Sequence, residues 1–517
     1  MPTRRLGRRL ALIGLLATPL SAQEAGAPMS AIDWLSDSVA APLPLPATPA
    51  EPAVTPTRPT APITVSPLDA AQGRPDAIGI LSPAVTGLPA DLWGASRAED
   101  IARRIRAERA ETLPALQALL YIMLLAEIAP PRDASADGRS VFLARVDKLL
   151  EMGALDQAGA LLERAGLDDA EIFRRRFDVA LLVGEEQPLC ETMSDMPGLS
   201  PTFQARIFCL ARAGDWTGAE LLLGTGSVLG LIGEDQAELF ARFLDTELFE
   251  GEPPLPRPVQ PTPLTFRLYE AIGEPIPTNG LPLAFAHADL REDNGWKARI
   301  EAGERLARTG AVSDNQLLGL YTEREPAASG GVWTRVAAIQ ALQAALDDDD
   351  TEAAAEALAR AWSALTATRV EVPIARVYGP RLHAMGLPGE AAQIAFRMAL
   401  LSDGYESAAR SGTPDTPLDR LLAGVAQGDV AGLAAPDARA AAVLDGFRAT
   451  RAPARLASLV EGNRLGEAIL RALALFDEGV DGNLDQVTDA LALLRAVGLE
   501  DTARRAALEY LILDRRG

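Results

Sequence analysis

Apolar residues recur along this chain at the spacing of one face of an α-helix. From Asp91 onward, leucine, alanine, isoleucine and valine return every three or four positions, and polar residues fill the intervals. This period is typical of amphipathic helices. No useful stretch alternates apolar and polar residues as a half-buried strand would. The pattern therefore predicts an all-α fold, with helices at 97–109, 113–129, 141–151, 155–164, 169–183, 200–213, 234–249, 296–308, 313–322, 332–346, 351–366, 372–385, 388–401, 416–427, 465–477, 484–497 and 499–513.

Two proline-rich passages interrupt this pattern. Residues 40–90 interleave proline with alanine and threonine, a composition that favours an extended, disordered linker. The prolines of 251–263 would stop a helix and separate two helical parts. The predicted organisation is a signal peptide at 1–22, a disordered segment at 23–90, an N-terminal helical domain at 91–250, a Pro-rich linker at 251–263 and a C-terminal helical-repeat domain at 264–517.

Several predicted helix ends share a glycine or an asparagine that is followed five residues later by an alanine. The pairs are Gly153 and Ala158, Gly214 and Ala219, Gly386 and Ala391, Asn463 and Ala468, and Gly498 and Ala503. Glycine or asparagine just past a helix adopts the left-handed conformation that ends it. The small alanine then lets the next helix approach closely.

One of these junctions carries a resemblance to a known family. Residues 214–219, Gly-Asp-Trp-Thr-Gly-Ala, resemble the turn and second-helix start of tetratricopeptide repeats. Asn463 and Gly498 lie 35 residues apart, near that family's period, and residues 384–401 align with residues 496–513. The resemblance implies antiparallel helical hairpins stacked into an irregular α-solenoid. As a whole, the chain looks like an uncharacterised class of exported bacterial helical proteins.

The N-terminus is typical of a secretory signal peptide. Four arginines in the first nine residues precede an apolar stretch of 11 residues and then Ser21-Ala22. This stretch has half of the roughly 20 apolar residues that span a bilayer. We expect cleavage after Ala22, with Ala25 and Ala27 as alternatives. No later stretch is long and apolar enough to span, so we expect a periplasmic or secreted protein without an integral membrane segment after cleavage.

A short amphipathic segment, residues 30–39, stands before the linker. Ile32, Leu35 and Val39 fall on one helical face, and Trp34 lies beside it. Such a helix on a flexible tether is one way to present a peptide to a partner's groove. The alternative is that it folds back onto its own helical body.

The charge of the chain narrows the classes of partner. The formal net charge is −22, and the chain has two lysines. Phosphate backbones and anionic membranes are bound by clustered lysine and arginine. We therefore expect no nucleic-acid partner, and the acidity indicates either solubility or a basic partner.

Cys190 and Cys209 are the only cysteines of the chain. They flank the turn residues 197–200, so a helical hairpin can bring them together, and exported proteins live where disulfides persist. The sequence predicts a disulfide between them. Free thiols in the core are the alternative.

No motif for catalysis, a metal or a cofactor satisfies the requirements of its chemistry. His287 and His383 are the only histidines and lie 96 residues apart, which gives no zinc pattern. The loop from Asp481 begins like a calcium loop but lacks its glycine and its final glutamate. Residues 224–226, Gly-Thr-Gly, follow a helix and are expected to form a turn. Residues 329–331, Ser-Gly-Gly, are expected to form a turn between helices.

The function that fits these observations is a non-enzymatic scaffold or adaptor that binds unidentified protein partners through a helical-repeat surface. One alternative is a hydrolase that acts on envelope polymer through paired carboxylates. Another is a structural spacer without a dedicated ligand. Two carboxylates converging in a deep pocket would favour the hydrolase, whereas a long shallow groove would favour the adaptor.

Overall fold

The structure is a computed structural model that describes residues 74–134, 138–166 and 169–513. This part of the chain forms 25 α-helices and four short 3₁₀ helices without a strand. A single isolated β-bridge joins Leu81 and Ala126. The all-α prediction is therefore confirmed for the described residues. The predicted signal peptide and most of the predicted disordered segment lie outside them.

The first half of the described chain contains twelve α-helices. They are α1 (Pro83–Thr86), α2 (Ala98–Ala107), α3 (Pro114–Leu125), α4 (Ser140–Glu151), α5 (Leu155–Ala165), α6 (Ala170–Val183), α7 (Gln187–Asp195), α8 (Phe203–Arg212), α9 (Trp216–Val228), α10 (Glu234–Leu244), α11 (Pro263–Ala271) and α12 (Ala286–Asp289). The 3₁₀ helices are Pro75–Ala77, Pro197–Leu199, Thr278–Gly280 and Leu283–Phe285.

The remaining helices follow after short connections. They are α13 (Trp296–Ala307), α14 (Asp314–Thr322), α15 (Val332–Asp347), α16 (Thr351–Thr368), α17 (Glu371–Ala384), α18 (Gly389–Leu400), α19 (Tyr405–Ser411), α20 (Pro417–Gln427), α21 (Ala438–Arg448), α22 (Ala454–Glu461), α23 (Leu465–Val480), α24 (Leu484–Ala496) and α25 (Glu500–Ile512). Most begin and end close to the positions that the apolar period predicts.

One local prediction is wrong. Residues 224–226 do not form a turn but lie inside α9. The inner face of α9, formed by Ala219, Leu223 and Gly226, is buried. Packing of this face on neighbouring helices keeps the segment helical despite the low helix propensity of glycine.

The junctions between paired helices follow the glycine–alanine pattern. Each junction glycine, and Asn463, has a positive φ angle, from 54° at Asn463 to 87° at Gly498. The alanine five residues later is buried in every case. Successive helices such as α17 and α18, or α22 and α23, pack against each other across these turns. The left-handed residue and the small alanine thus make the hairpins.

Residues 74–90 correct the predicted boundary of the disordered segment, because they pack on the helical body. The Asp76 carboxylate is buried and accepts a hydrogen bond of 2.7 Å from the Phe142 amide. The buried Arg145 guanidinium donates to three backbone carbonyls, including that of Ile78 at 2.7 Å. The ordered body therefore begins before residue 91, where composition alone placed it.

The proline-rich passage 251–263 is also held by the body. Leu255 is buried, and its amide donates to the Glu274 carboxylate at 2.8 Å. The Tyr269 hydroxyl donates to the Pro256 carbonyl at 2.7 Å. The flanking helices α10 and α11 contact each other, and all described residues belong to one compact unit.

The two ends of this compact unit pack together. Helix α2 contacts α23, and α3 contacts α25. The Gly466 amide donates to the Leu92 carbonyl at 2.9 Å, and the Ala95 amide donates to the Asn463 carbonyl at 2.7 Å. Trp93 is completely buried, and a Cβ atom at Gly466 would lie 2.5 Å from its ring. Only glycine lets the tryptophan approach α23 so closely.

A buried carboxylate reinforces this contact between the ends. Glu467 of α23 is 1% exposed and pairs with Arg464, Arg471 and Arg104. Arg104 lies on α2, and its Nε is 3.3 Å from the Glu467 carboxylate. This ion pair joins residues that are 363 positions apart in the chain.

Replacing Glu467 by glutamine should lower the free energy of unfolding by roughly 2 kcal/mol, because the buried side chain loses its charge-assisted hydrogen bonds to three partly exposed arginines. Urea unfolding measures the loss. Glu478→Gln, at an exposed position of the same helix, is the matched control and should change stability by less than about 0.5 kcal/mol. Equal stability of the two variants would contradict the role given to Glu467.

A second prediction concerns pH. Burial raises the pKa of Glu108 to about 8, and the neighbouring Asp477 acts in the same direction. The folded state therefore binds a proton that the unfolded state releases, and stability falls as pH rises between about 4.5 and 8. Glu108→Gln does not titrate, so it should gain stability relative to the parent protein between about pH 5 and pH 8.5. Urea unfolding at both pH values tests this, and a pH-independent difference would refute it.

Candidate functional site

The predicted partner-binding segment 30–39, with Ile32, Trp34, Leu35 and Val39, lies outside the described residues. Its role stays a prediction.

The predicted disulfide is present. Cys190 in α7 and Cys209 in α8 are both buried, and their Cα atoms are 5.0 Å apart. The bond ties these helices together across the 3₁₀ turn Pro197–Leu199. It thus fixes α8, on which α9 packs.

The two histidines occupy separate settings. His287 Nε2 lies 2.6 Å from the Gly153 carbonyl oxygen, and burial lowers the pKa of His287. His383 Nε2 lies 3.1 Å from Ser411 Oγ, which itself donates to the Ser407 carbonyl. Within the described residues, no carboxylate lies within hydrogen-bond distance of the His383 ring. This pair therefore lacks the third group that orients a catalytic histidine.

The loop from Asp481 and the turn at 329–331 have structural roles, as does the acidic run before α16. Asp350 caps α16 and accepts hydrogen bonds from the amides of Glu352 and Ala353 at 3.0 Å each. Asp481 pairs with Arg109. Gly331 is the N-cap residue of α15.

A groove of about 990 Å³ lies among α17, α18, α19 and the start of α20. Small residues such as Ala392, Ala395 and Gly412 form much of its wall, and His383 lies at its edge. The groove is large enough to hold a ligand, but few large apolar side chains are exposed in it.

Helix α9 presents a different kind of surface. Asp215 caps it by accepting a hydrogen bond from the Gly218 amide at 2.9 Å. On its inner face, a Cβ atom at Gly226 would lie 2.5 Å from the Phe203 ring and 2.8 Å from Ile232. The glycine therefore lets α9 pack closely on the body, so its opposite face is directed outward.

That outer face is apolar and open. Leu221 is 72% exposed, Val228 is 88% exposed and Leu229 is 66% exposed. Trp216 and Leu231 at the two ends of α9 are also more than half exposed. Of the ten exposed large apolar side chains in the described residues, half lie between residues 216 and 231. Leu221 and Val228 lie seven positions, or two helical turns, apart, so they share one face of the helix, and Leu229 lines the same surface. We call it the α9 face.

The α9 face has a shallow, open depression in its middle. Gly224 and Thr225 lie between the larger side chains of Leu221 and Val228, and the space above them measures about 610 Å³. A Cβ atom at Gly224 would meet nothing within 4 Å. Internal packing thus gives no reason for this glycine, which costs about 1 kcal/mol relative to alanine in a helix. Its effect is to open the surface to a close approach from outside.

Acidic residues are concentrated in the sequence around α9, and one of them, Glu220, lines the α9 face. Between residues 213 and 256 the chain has nine acids, all of them exposed: Asp215, Glu220, Glu234, Asp235, Glu238, Asp245, Glu247, Glu250 and Glu252. The only base of this interval, Arg242, is buried. Its guanidinium pairs with Glu238, Glu252 and Glu274. The result is an apolar stripe in a strongly negative part of the chain.

Sequence reasoning did not find the α9 face. The run Leu221-Leu222-Leu223 puts apolar residues on both the inner and the outer side of the helix. A helix that is apolar on all sides is normally buried. One signal was available: acidic residues are frequent in the sequence after α9, which indicates that this helix lies at the surface.

Loss of the disulfide should lower stability without removing the fold. The double variant Cys190→Ser with Cys209→Ser should lose about 3 kcal/mol of unfolding free energy, the value expected for a loop of this size. Urea unfolding with and without dithiothreitol measures it. The reductant should destabilise the parent protein and leave the variant unchanged. An equal response of both proteins would show that the bond contributes nothing.

Comparison of the chain with known protein families, with curated proteins and with solved structures finds no match in any of the three. In the part that the structure describes, no helix has both the length and the apolar character needed to cross a bilayer.

Proposed function

We propose that this protein is an exported, non-enzymatic adaptor, and that its α9 face binds a basic amphipathic helix of a partner protein. The observation that carries the proposal is the exposed apolar stripe of α9, together with the acidic residues near it in the chain. The stacked hairpins, which we propose to form an irregular solenoid, serve in this account as the rigid support of that stripe.

The energetics of the surface support an interaction. Exposed contiguous apolar patches on a folded protein typically mark binding sites. Full burial of a leucine or valine side chain contributes about 1.5–3 kcal/mol. Burial of Leu221, Val228 and Leu229 by a partner would therefore contribute several kcal/mol to the free energy of binding.

The charges select the kind of partner. An amphipathic helix that lies along an apolar stripe places its own polar face at the rim of the contact. Glu220 lines this face and the exposed residues that follow α9 in the chain are rich in acids, so lysines or arginines of a partner are attracted there and acidic residues are repelled. The depression at Gly224 accepts one large side chain of the partner helix, since such anchors dominate binding energy at small interfaces.

Two features support an exported location. The N-terminal sequence has the form of a signal peptide, and the disulfide Cys190–Cys209 is of a kind that persists in oxidising compartments. In this proposal the tethered segment 30–39 is a second contact to a partner.

Two substitutions on the α9 face test the proposal. The probe is a fluorescent synthetic helix with leucines on one face and lysines on the other, and anisotropy measures its binding. Leu221→Glu with Val228→Glu should weaken binding at least about tenfold, or about 1.4 kcal/mol, by placing charges in the apolar stripe. Val85→Glu is the matched control, because Val85 is 73% exposed on the distant sequence segment α1.

A synthetic peptide helix with glutamates in place of the lysines should bind far more weakly to the parent protein. Circular dichroism checks that each variant remains folded. Equal binding of the lysine helix to the double variant and to the control would refute the α9 site. Equal binding of the two peptides would refute the charge-based choice of partner.

A further inference from the structure

A small cavity lies where four distant segments of the chain meet. It has a volume of about 290 Å³ and is lined by the residues before α3, the end of α13, the start of α17 and the end of α23. This volume is at the lower end of the range of about 300–1,000 Å³ for small-molecule sites. The cavity therefore fits a compound of amino-acid size rather than a polymer.

The cavity contains one guanidinium that is not neutralised by a carboxylate. Arg109 pairs with Asp481, and Arg369 pairs with Glu111. Arg308 is held through its Nε, which donates to the Thr368 carbonyl at 3.0 Å. Its two terminal nitrogens have no ion pair within the described ranges. A guanidinium whose terminal nitrogens remain available is suited to bind a carboxylate through two hydrogen bonds.

The same cavity contains a carboxyl group without a cationic partner. Asp477 is 6% exposed and accepts a hydrogen bond from the Thr112 hydroxyl. In the part of the chain that the structure describes, no arginine or lysine nitrogen lies within ion-pair distance of it. Burial raises the pKa of Asp477 to about 6, and the Thr112 hydrogen bond and Arg109 oppose this shift. An ammonium group of a ligand would compensate the cost of keeping this carboxylate buried and ionised.

Apolar side chains also line the cavity. Leu113, Val372, Pro373 and Val480 contribute to its wall. A ligand side chain placed against this wall would need to be apolar and small.

We propose that this cavity binds a small apolar α-amino acid, with its carboxylate on Arg308, its ammonium group on Asp477 and its side chain on the apolar wall. Because the cavity joins segments of α3, α13, α17 and α23, a bound ligand would hold the two ends of the compact unit together. Binding to the folded state alone raises the melting temperature. This site is separate from the α9 face and does not depend on the proposed adaptor function.

The test uses the full-length protein and L-leucine, L-valine and L-methionine as probes, with calorimetry and melting temperature as readouts. N-acetyl-L-leucine lacks the ammonium group, and L-leucinamide lacks the carboxylate. We expect at least one free amino acid to bind and to raise the melting temperature, and both derivatives to bind at least about tenfold more weakly. Absence of heat and of a melting shift with all three amino acids at millimolar concentration would overturn the proposal.

Two variants test which side chain binds each end of the amino acid. Arg308→Gln should abolish binding of the amino acid. Asp477→Asn, an isosteric change, should reduce the preference for L-leucine over N-acetyl-L-leucine. Arg420→Gln, at an exposed position on α20, is the control and should bind like the parent protein. A misfolded variant would lose binding for a reason unrelated to the site. The decisive measurement is therefore the ratio of the two ligand affinities in the single variant Asp477→Asn. An unchanged preference in that variant would overturn the proposal.

The double variant Leu221→Glu with Val228→Glu separates the two proposals. It should bind the amino acid normally while it loses the basic helix.

Discussion

The contact between the two ends of the compact unit is the constraint on which the rest of the structure depends. Trp93 packs into the space that Gly466 leaves free, and Glu467 pairs across the same contact with Arg104 of α2. In a linear array of hairpins each repeat contacts only its neighbours. Here α2 also contacts α23 and α3 contacts α25, so none of these four helices is left as an open end that needs a cap.

The outer side of α9 is not part of the core, because its large apolar side chains are exposed. Its inner side packs through Gly226, and the disulfide holds the neighbouring α7 and α8 in place. The outer side retains exposed leucine and valine, whose hydration is unfavourable. The acidic residues near it repel other acidic surfaces. Such a surface is costly unless a partner covers it.

Local rules in the sequence predicted the helices and the turns between them. Gly153, Gly214 and Gly498 adopt the left-handed conformation that their positions predicted, because a helix end is set by its own residues. The Cys190–Cys209 bond was predictable for the same reason, since a short hairpin separates the two residues. The proline content of residues 74–90 was misleading, because packing on Arg145 overrides the tendency of this composition to stay extended.

The long-range features were not predictable in the same way. No local pattern brings Glu467 to Arg104, or Arg308 to the cavity that Asp477 lines, since these contacts join residues that are far apart in the chain. The α9 face was hidden because its leucines resemble those of a buried helix. Exposure, rather than residue type, distinguishes them, and exposure is a property of the folded chain.

Hydrogen–deuterium exchange on the full-length protein, with and without the lysine-rich amphipathic helix, tests the central claim most directly. The account predicts slow exchange in α2 and α23 in both states, because the contact between the ends does not depend on a partner. It predicts that the helix adds protection at residues 215–231 and leaves the rest of the body unchanged. Added protection elsewhere, or none, would contradict the assignment of the α9 face as the binding surface.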